Sequence, residues 1–141
     1  MTVIGFTFSK IHVDRKATSG NQQVDVKSQI SMNNVEERKI SLPEGQMPLK
    51  FDFSYDIEYT PDLASIKFAG TILVALPSEK AKEILEGWKK NKTISDQETK
   101  LAVYNTIFNK CNVKAFELEE DMGLPLHLRL PQIGAENTPK K

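Results

Sequence analysis

Apolar and polar positions alternate with a period of two through most of the first half of the chain. Ile4, Phe6 and Phe8 alternate with Gly5 and Thr7, and the extended pattern runs on through Ile11 and Val13 to Arg15. Alternation of this kind marks a strand with one buried face. A turn is expected at Ala17–Asn21, where residues tolerant of turn geometry cluster. Val24, Val26, Ile30 and Met32 alternate with polar neighbours as a second strand, with Ser28 interrupting the apolar series. Asn33-Asn34 suggests a bend and Pro43-Glu44-Gly45 a turn.

Leu49, Phe51, Phe53, Tyr55, Ile57 and Tyr59 then form the cleanest row in the chain, interleaved with Lys50, Asp52, Ser54, Asp56 and Glu58. Thr60-Pro61-Asp62 is a compact hairpin connection to a fourth strand, Ile66 to Leu76. That strand is apolar at its even positions and also at Ala69, Leu73 and Ala75, so it asks for cover on both sides. Gly70 marks a bulge or a close backbone approach.

The period then changes to that of helices. Pro77-Ser78-Glu79 reads as a helix start with Ser78 as cap, and Ala81, Ile84, Leu85 and Trp88 share one face. Ser95-Asp96-Gln97-Glu98 reads as a capping box opening a longer helix. Its stripe is Leu101, Tyr104, Phe108, Cys111 and Ala115, widened by Val103 and Ile107, and Gly123 is a candidate C-terminal residue. Glu117, Glu119, Glu120 and Asp121 oppose the dipole there, which calls for an earlier stop or an external cation. Leu124–Pro131 alternates leucines between two prolines and reads as an extended arm. Residues 1–133 are expected to form one domain and residues 134–141 a loose tail.

Four strands followed by two helices predict an α+β fold, a four-stranded antiparallel meander with both helices on one face. Two helices cover only one face of a sheet, so pairing with further copies is expected to cover the rest, the alternative being that the first strand or the Leu124–Pro131 arm folds over it.

Composition narrows the function. In 141 residues, nineteen basic side chains balance nineteen acidic ones, which argues against a dedicated nucleic-acid partner. The longest apolar run, Thr71–Leu76, is far short of a membrane span, and no signal-peptide pattern opens the chain, so a cytoplasmic protein is expected. The single cysteine, Cys111, excludes an internal disulfide. His12 and His127 show no metal-ligand spacing and read as surface or strand-packing residues. Asp52, Asp56 and Glu58 read as the wet face of a strand, and Lys80, Lys82, Lys89, Lys90 and Lys92 as a solvated helix face. With no acid, base, nucleophile, metal or cofactor constellation, no enzyme is expected. What remains is an apolar groove able to receive another chain, with sheet edges or the leucine-rich arm supplying backbone hydrogen bonds.

Several strings bear a family likeness. Phe6–Ile11, Val24–Ile30, the Phe51–Tyr59 and Ile66–Leu76 pair, Val103–Cys111 and Leu124–Pro131 resemble, in order, the first strand, second strand, central hairpin, long helix and Pro-flanked extended segment of SecB-like export chaperones. The likeness covers about residues 3–133. It implies a holdase that binds unfolded or nascent polypeptides in apolar grooves, assembled as a dimer of dimers and using no nucleotide. Phe51, Phe53, Tyr55, Leu126 and Leu128 are the peptide-binding positions it suggests. A role guarding one dedicated partner, such as an antitoxin or a folded protein, is the alternative. The family is typically acidic, and that charge supports docking to a SecA-type motor; this neutral chain with a basic end leaves such docking open. The helix that usually follows the extended segment in that family is expected to be missing here or replaced by the short end beyond Ile133.

Overall fold

The structure, a computed structural model, describes residues 1–16, 24–60 and 63–127. The expected turn at Ala17–Asn21, the hairpin tip at Pro61-Asp62, and everything from Leu128 onward, including the 134–141 tail, lie outside the described residues.

The chain forms β1 (Thr2–Arg15), β2 (Asp25–Glu37), β3 (Gln46–Thr60), β4 (Ala64–Pro77), α1 (Ser78–Asn91) and α2 (Gln97–Met122). All pairings are antiparallel, so the fold is the α+β arrangement of four strands followed by two helices. The strand order is β1-β4-β3-β2, however, and not the consecutive order of a full meander. Strands β2, β3 and β4 do form a meander, and β1 adds to the free side of β4. Both β1 and β2 meet the sheet at its β3–β4 hairpin end, where Arg15 pairs with Ala64 and Asp25 with Thr60. Crossing three strand spacings requires about 14 Å, and residues 16–24 can reach about 30 Å when extended. Alternation along a strand reveals its buried face but not its neighbour, so the sequence pattern alone does not distinguish these two orders.

Register decides what each face carries. Leu49, Phe51, Phe53, Tyr55 and Ile57 stand opposite Val74, Ile72, Gly70, Phe68 and Ile66, and all ten are buried. Val35, Met32, Ile30 and Val26 extend this face through β2, and Phe6, Phe8 and Val13 extend it through β1. Over it lie Ala81, Ile84 and Trp88 of α1 and Val103, Ile107, Cys111 and Ala115 of α2. The inward stripe of α2 is therefore centred on the 103-107-111-115 series. Leu101, expected on that stripe, is 54% exposed. Tyr104 and Phe108 flank the core, partly buried.

The opposite face is open and polar, and part of its charge is paired within the sheet. Lys50 lies 3.3 Å from Glu36 and 3.7 Å from Asp52, and the Thr71 hydroxyl donates to Asp52 at 3.0 Å. Of the extra apolar positions on β4, Ala69 and Leu73 are half-buried and Ala75 is buried. The Leu73 side chain lies beside Gly5 on β1, 3.4 Å from where a Cβ on that glycine would stand, so this second apolar row is partly covered.

Bulges interrupt β1 at Val3/Gly5 and Phe8/Lys10 and β2 at Met32/Asn34. The last stands where Asn33-Asn34 suggested a bend: the strand passes through it to Glu37. Each bulge inserts an unpaired residue and restores the inward side-chain phase beyond it.

Helix ends are shaped locally. Residue Ser78 is not a side-chain cap; Pro77 is the N-cap residue, and the Ser78 N–H donates to Gly45 O at 2.9 Å. On α2 the cap is Asp96, one residue beyond the expected Ser95. Its carboxylate accepts from the Thr99 N–H at 3.1 Å and the Thr99 hydroxyl at 2.6 Å. Gly123 closes α2 at φ 65°, and the N–H groups of Gly123 and Leu124 return to the last helical carbonyls.

Candidate functional site

The inward series of α2 continues one step past Ala115 to Glu119, which is fully buried. A carboxylate on a core-facing position requires donors, because burying it bare costs far more than a core contact returns. Three groups meet its Oε2. The Tyr59 hydroxyl donates from β3, the backbone N–H of His127 donates at 3.1 Å, and His127 Nδ1 lies at 2.8 Å. Oε1 has no partner.

His127 Nε2 lies 2.6 Å from Asn112 Oδ1, which also accepts from the Tyr55 hydroxyl at 3.2 Å. Both ring nitrogens of His127 thus face oxygen acceptors. Phe116 stacks against the ring at 5.2 Å, and Tyr55 stands edge-on at 6.4 Å. The side chains of Glu119 and His127 are both 0% exposed. The acidic end of α2 thus finds a partner within the chain, in the ring and backbone N–H of His127 folded back onto the helix. Burial, then the hydrogen bond to Glu119, raises the Tyr59 pKa above its ordinary value. Burial also raises that of Tyr55. Both hydroxyls therefore remain donors.

Sequence reading placed His127 as a surface or packing residue and missed this cluster. A signal was present: the spacing 103-107-111-115-119 puts Glu119 on the buried stripe, and a glutamate there demands a partner. What the spacing does not reveal is that the chain turns back after Gly123 to supply one.

The expected peptide-binding residues separate into two groups. Phe51, Phe53 and Tyr55 have exposures of 0%, 1% and 1%. They are core, because the helices cover the apolar face of β3, and the folded chain presents no surface at these positions. Leu126 is 40% exposed, and Leu128 lies outside the described residues. Other large apolar side chains stand in solvent, with Ile4 and Ile11 on the edge strand β1 and Leu101 and Val113 on α2. The outer edge of β1 is unpaired in the sheet.

Elsewhere the chemistry is quiet. His12 is exposed opposite Lys67. Cys111 is buried, and burial pushes its thiol up to about 12, so it carries no thiolate at neutral pH. Lys80 bridges to Asp96 and Glu98 at 3.7 Å, while Lys82, Lys89, Lys90 and Lys92 are exposed. Among the described residues, no group of three or more His, Cys, Asp or Glu side chains could hold a metal ion, and no helix is long and apolar enough to cross a membrane.

No family model matches the chain, and no curated protein sequence matches it. Among solved structures, the fold is similar to the Mycobacterium tuberculosis Rv1957 SecB-like chaperone, solved in complex with a ChAD peptide from the Rv1956 HigA1 antitoxin. The TM-score is 0.50 and the identity 14%, over 94% of this chain and 90% of that one. At that identity the likeness is one of fold.

Proposed function

We propose that this chain is a SecB-like, non-enzymatic chaperone that holds non-native polypeptide segments by their apolar side chains. The observation that carries the reading is the fold likeness, over nearly the full length, to a SecB-like chaperone with a bound peptide. The surface chemistry agrees with it. A holdase needs solvent-facing apolar side chains and free backbone groups, and the β1 edge, with Ile4 and Ile11, offers both. The exposed Leu126 is a second apolar position proposed for client binding, and Leu128 is proposed with it from the sequence pattern alone. Tyr55, beside His127, meets a client only where the Leu124–His127 segment moves, while Phe51 and Phe53 remain core.

Within this reading the protein acts in the cytoplasm as a dimer or tetramer, needs no cofactor, and takes unfolded or nascent chains as clients. The second reading is a dedicated partner, and the antitoxin peptide held by the solved neighbour favours it. Service to protein export through a SecA-type motor belongs to the first reading only.

The test is suppression of aggregation. Several unrelated unfolded substrates should stay soluble at near-stoichiometric ratios of the purified protein. Protection of none of them, together with capture of one defined antitoxin or folded partner, would establish the dedicated reading; protection of none and capture of none would end both.

A further inference from the structure

Past Gly123 the chain runs back along α2 as a short strap, Leu124 to His127. Very little holds it there. The Leu124 N–H belongs to the helix cap, donating to Glu119 O at 2.8 Å, and the Leu124 side chain is 7% exposed. Pro125 and Leu126 face solvent. Beyond the cap, every hydrogen bond of the strap passes through His127, by its backbone N–H and both ring nitrogens, to Glu119 and Asn112. The strap is thus held at its two ends, by the buried Leu124 and by His127, with Pro125 and Leu126 in solvent between them. A short segment with so few anchors belongs to the low-stability end of a fold.

What the strap covers is distinctive. Against His127 lie Tyr55 of β3 and Asn112, Phe116 and Glu119 of α2, with Tyr59 of β3 bonded to the same Glu119 carboxylate and Cys111 next to Asn112 on the helix. Glu119 is the only carboxylate among them. Closing the strap also has a standing cost, because Glu119 Oε1 is sealed from water without a donor. Opening it rehydrates that oxygen. A buried ionic cluster of this kind contributes little net stability compared with apolar packing, and its best-attested use is to select one of two arrangements.

We infer that Leu124–His127 is an intramolecular strap, latched by His127 on Glu119 and Asn112, that occupies the crevice between β3 and α2 and yields it when a client chain binds. The inference rests on the peptide-binding reading above. It assigns the aromatic floor at Tyr55, Tyr59 and Phe116 to a second state of the molecule, the strap being its resident occupant.

Native-state hydrogen exchange on the full chain tests the strap without any client. The His127 amide should exchange more slowly than in a free peptide but at least ~100-fold faster than the core amides of Ile57 and Ile72, the signature of local opening. Exchange at the core rate would make the strap part of the global unit, and exchange at the free-peptide rate would mean that it is never seated; either overturns the inference. In His127→Ala, protection at residue 127 should vanish while Ile57 and Ile72 keep theirs. Global unfolding of that variant would instead make His127 a core residue and overturn the proposal.

The client arm uses an extended leucine-rich peptide as probe. For a strap closed about 90% of the time, H127A should bind it roughly tenfold more tightly than the natural chain. Equal affinity for both overturns the occupancy claim. If neither chain binds the peptide, the chaperone reading fails, while the exchange data still decide whether the strap opens.

Discussion

Gly70 sits where three strands converge, opposite Phe8 on one side and Phe53 on the other. A Cβ there would lie 2.4 Å from Thr7 O and 2.8 Å from the Phe53 ring. The ring could swing, but the Thr7 carbonyl belongs to the paired backbone of β1 and cannot move without opening the ladder. Of the two sequence readings of this glycine, the close backbone approach is the one observed; the bulges lie on β1. Gly70→Ala should therefore destabilise the protein by roughly 1–3 kcal/mol, read from the midpoint of denaturant unfolding. An unchanged midpoint would show that β1 lies further from β4 than described. At the same scale, Glu119 and His127 illustrate a limit of local reading: each looks ordinary in its own segment, and only their meeting gives them a role.

Among the elements, α2 depends most on its ends. Asp96 caps two donors of Thr99 and faces Lys80 of α1, so it fastens the start of one helix to the first turn of the other. The Thr99 hydroxyl bond, assisted by the Thr99 N–H and by Lys80, holds the Asp96 carboxyl below its ordinary 3.8. Because the folded-state pKa is depressed, the stabilisation is fully present well above pH 3.8 and is lost as pH falls through the folded value. Asp96→Ala should thus cost about 1 kcal/mol near neutral pH. The gap between variant and natural protein should close in acid. A gap independent of pH down to about 2 would show that the cap acts through shape and not charge. The stripe of α2 carries a related lesson. Tyr104 and Phe108 attracted the reading toward the 101-104-108 side because they are large, yet packing centred the helix on the smaller Val103, Ile107, Cys111 and Ala115. A long helix on a twisted sheet buries the side with the best fit, and aromatic size alone does not identify it.

For the whole molecule, the question is where apolar surface remains. The sheet's aromatic face is sealed within one chain, and part of the polar face's charge is paired within the sheet. Among the described residues, the large solvent-facing apolar side chains lie along β1 and at the Met1 end before it, on α2, on the strap and at Ile40 between β2 and β3. A long edge strand bearing Ile4 and Ile11 is a template for pairing. A dimer or tetramer of the 15.9 kDa chain is therefore the expected species by light scattering at micromolar concentration, and a stable monomer would remove the assembly part of the proposal.

Alternation with period two and its switch to helical spacing at Pro77 determined the elements, their order, the buried side of each strand and the α+β class. These are consequences of local geometry: a strand shows alternate residues to alternate faces, and a helix repeats every three to four. The tertiary structure alone decided the rest. It placed β1 beside β4, sealed Phe51, Phe53 and Tyr55 beneath the helices, and turned the chain after Gly123 so that His127 meets Glu119. Each of those outcomes depends on which distant surfaces come together, and a one-dimensional pattern states only that a face is apolar, not what will cover it.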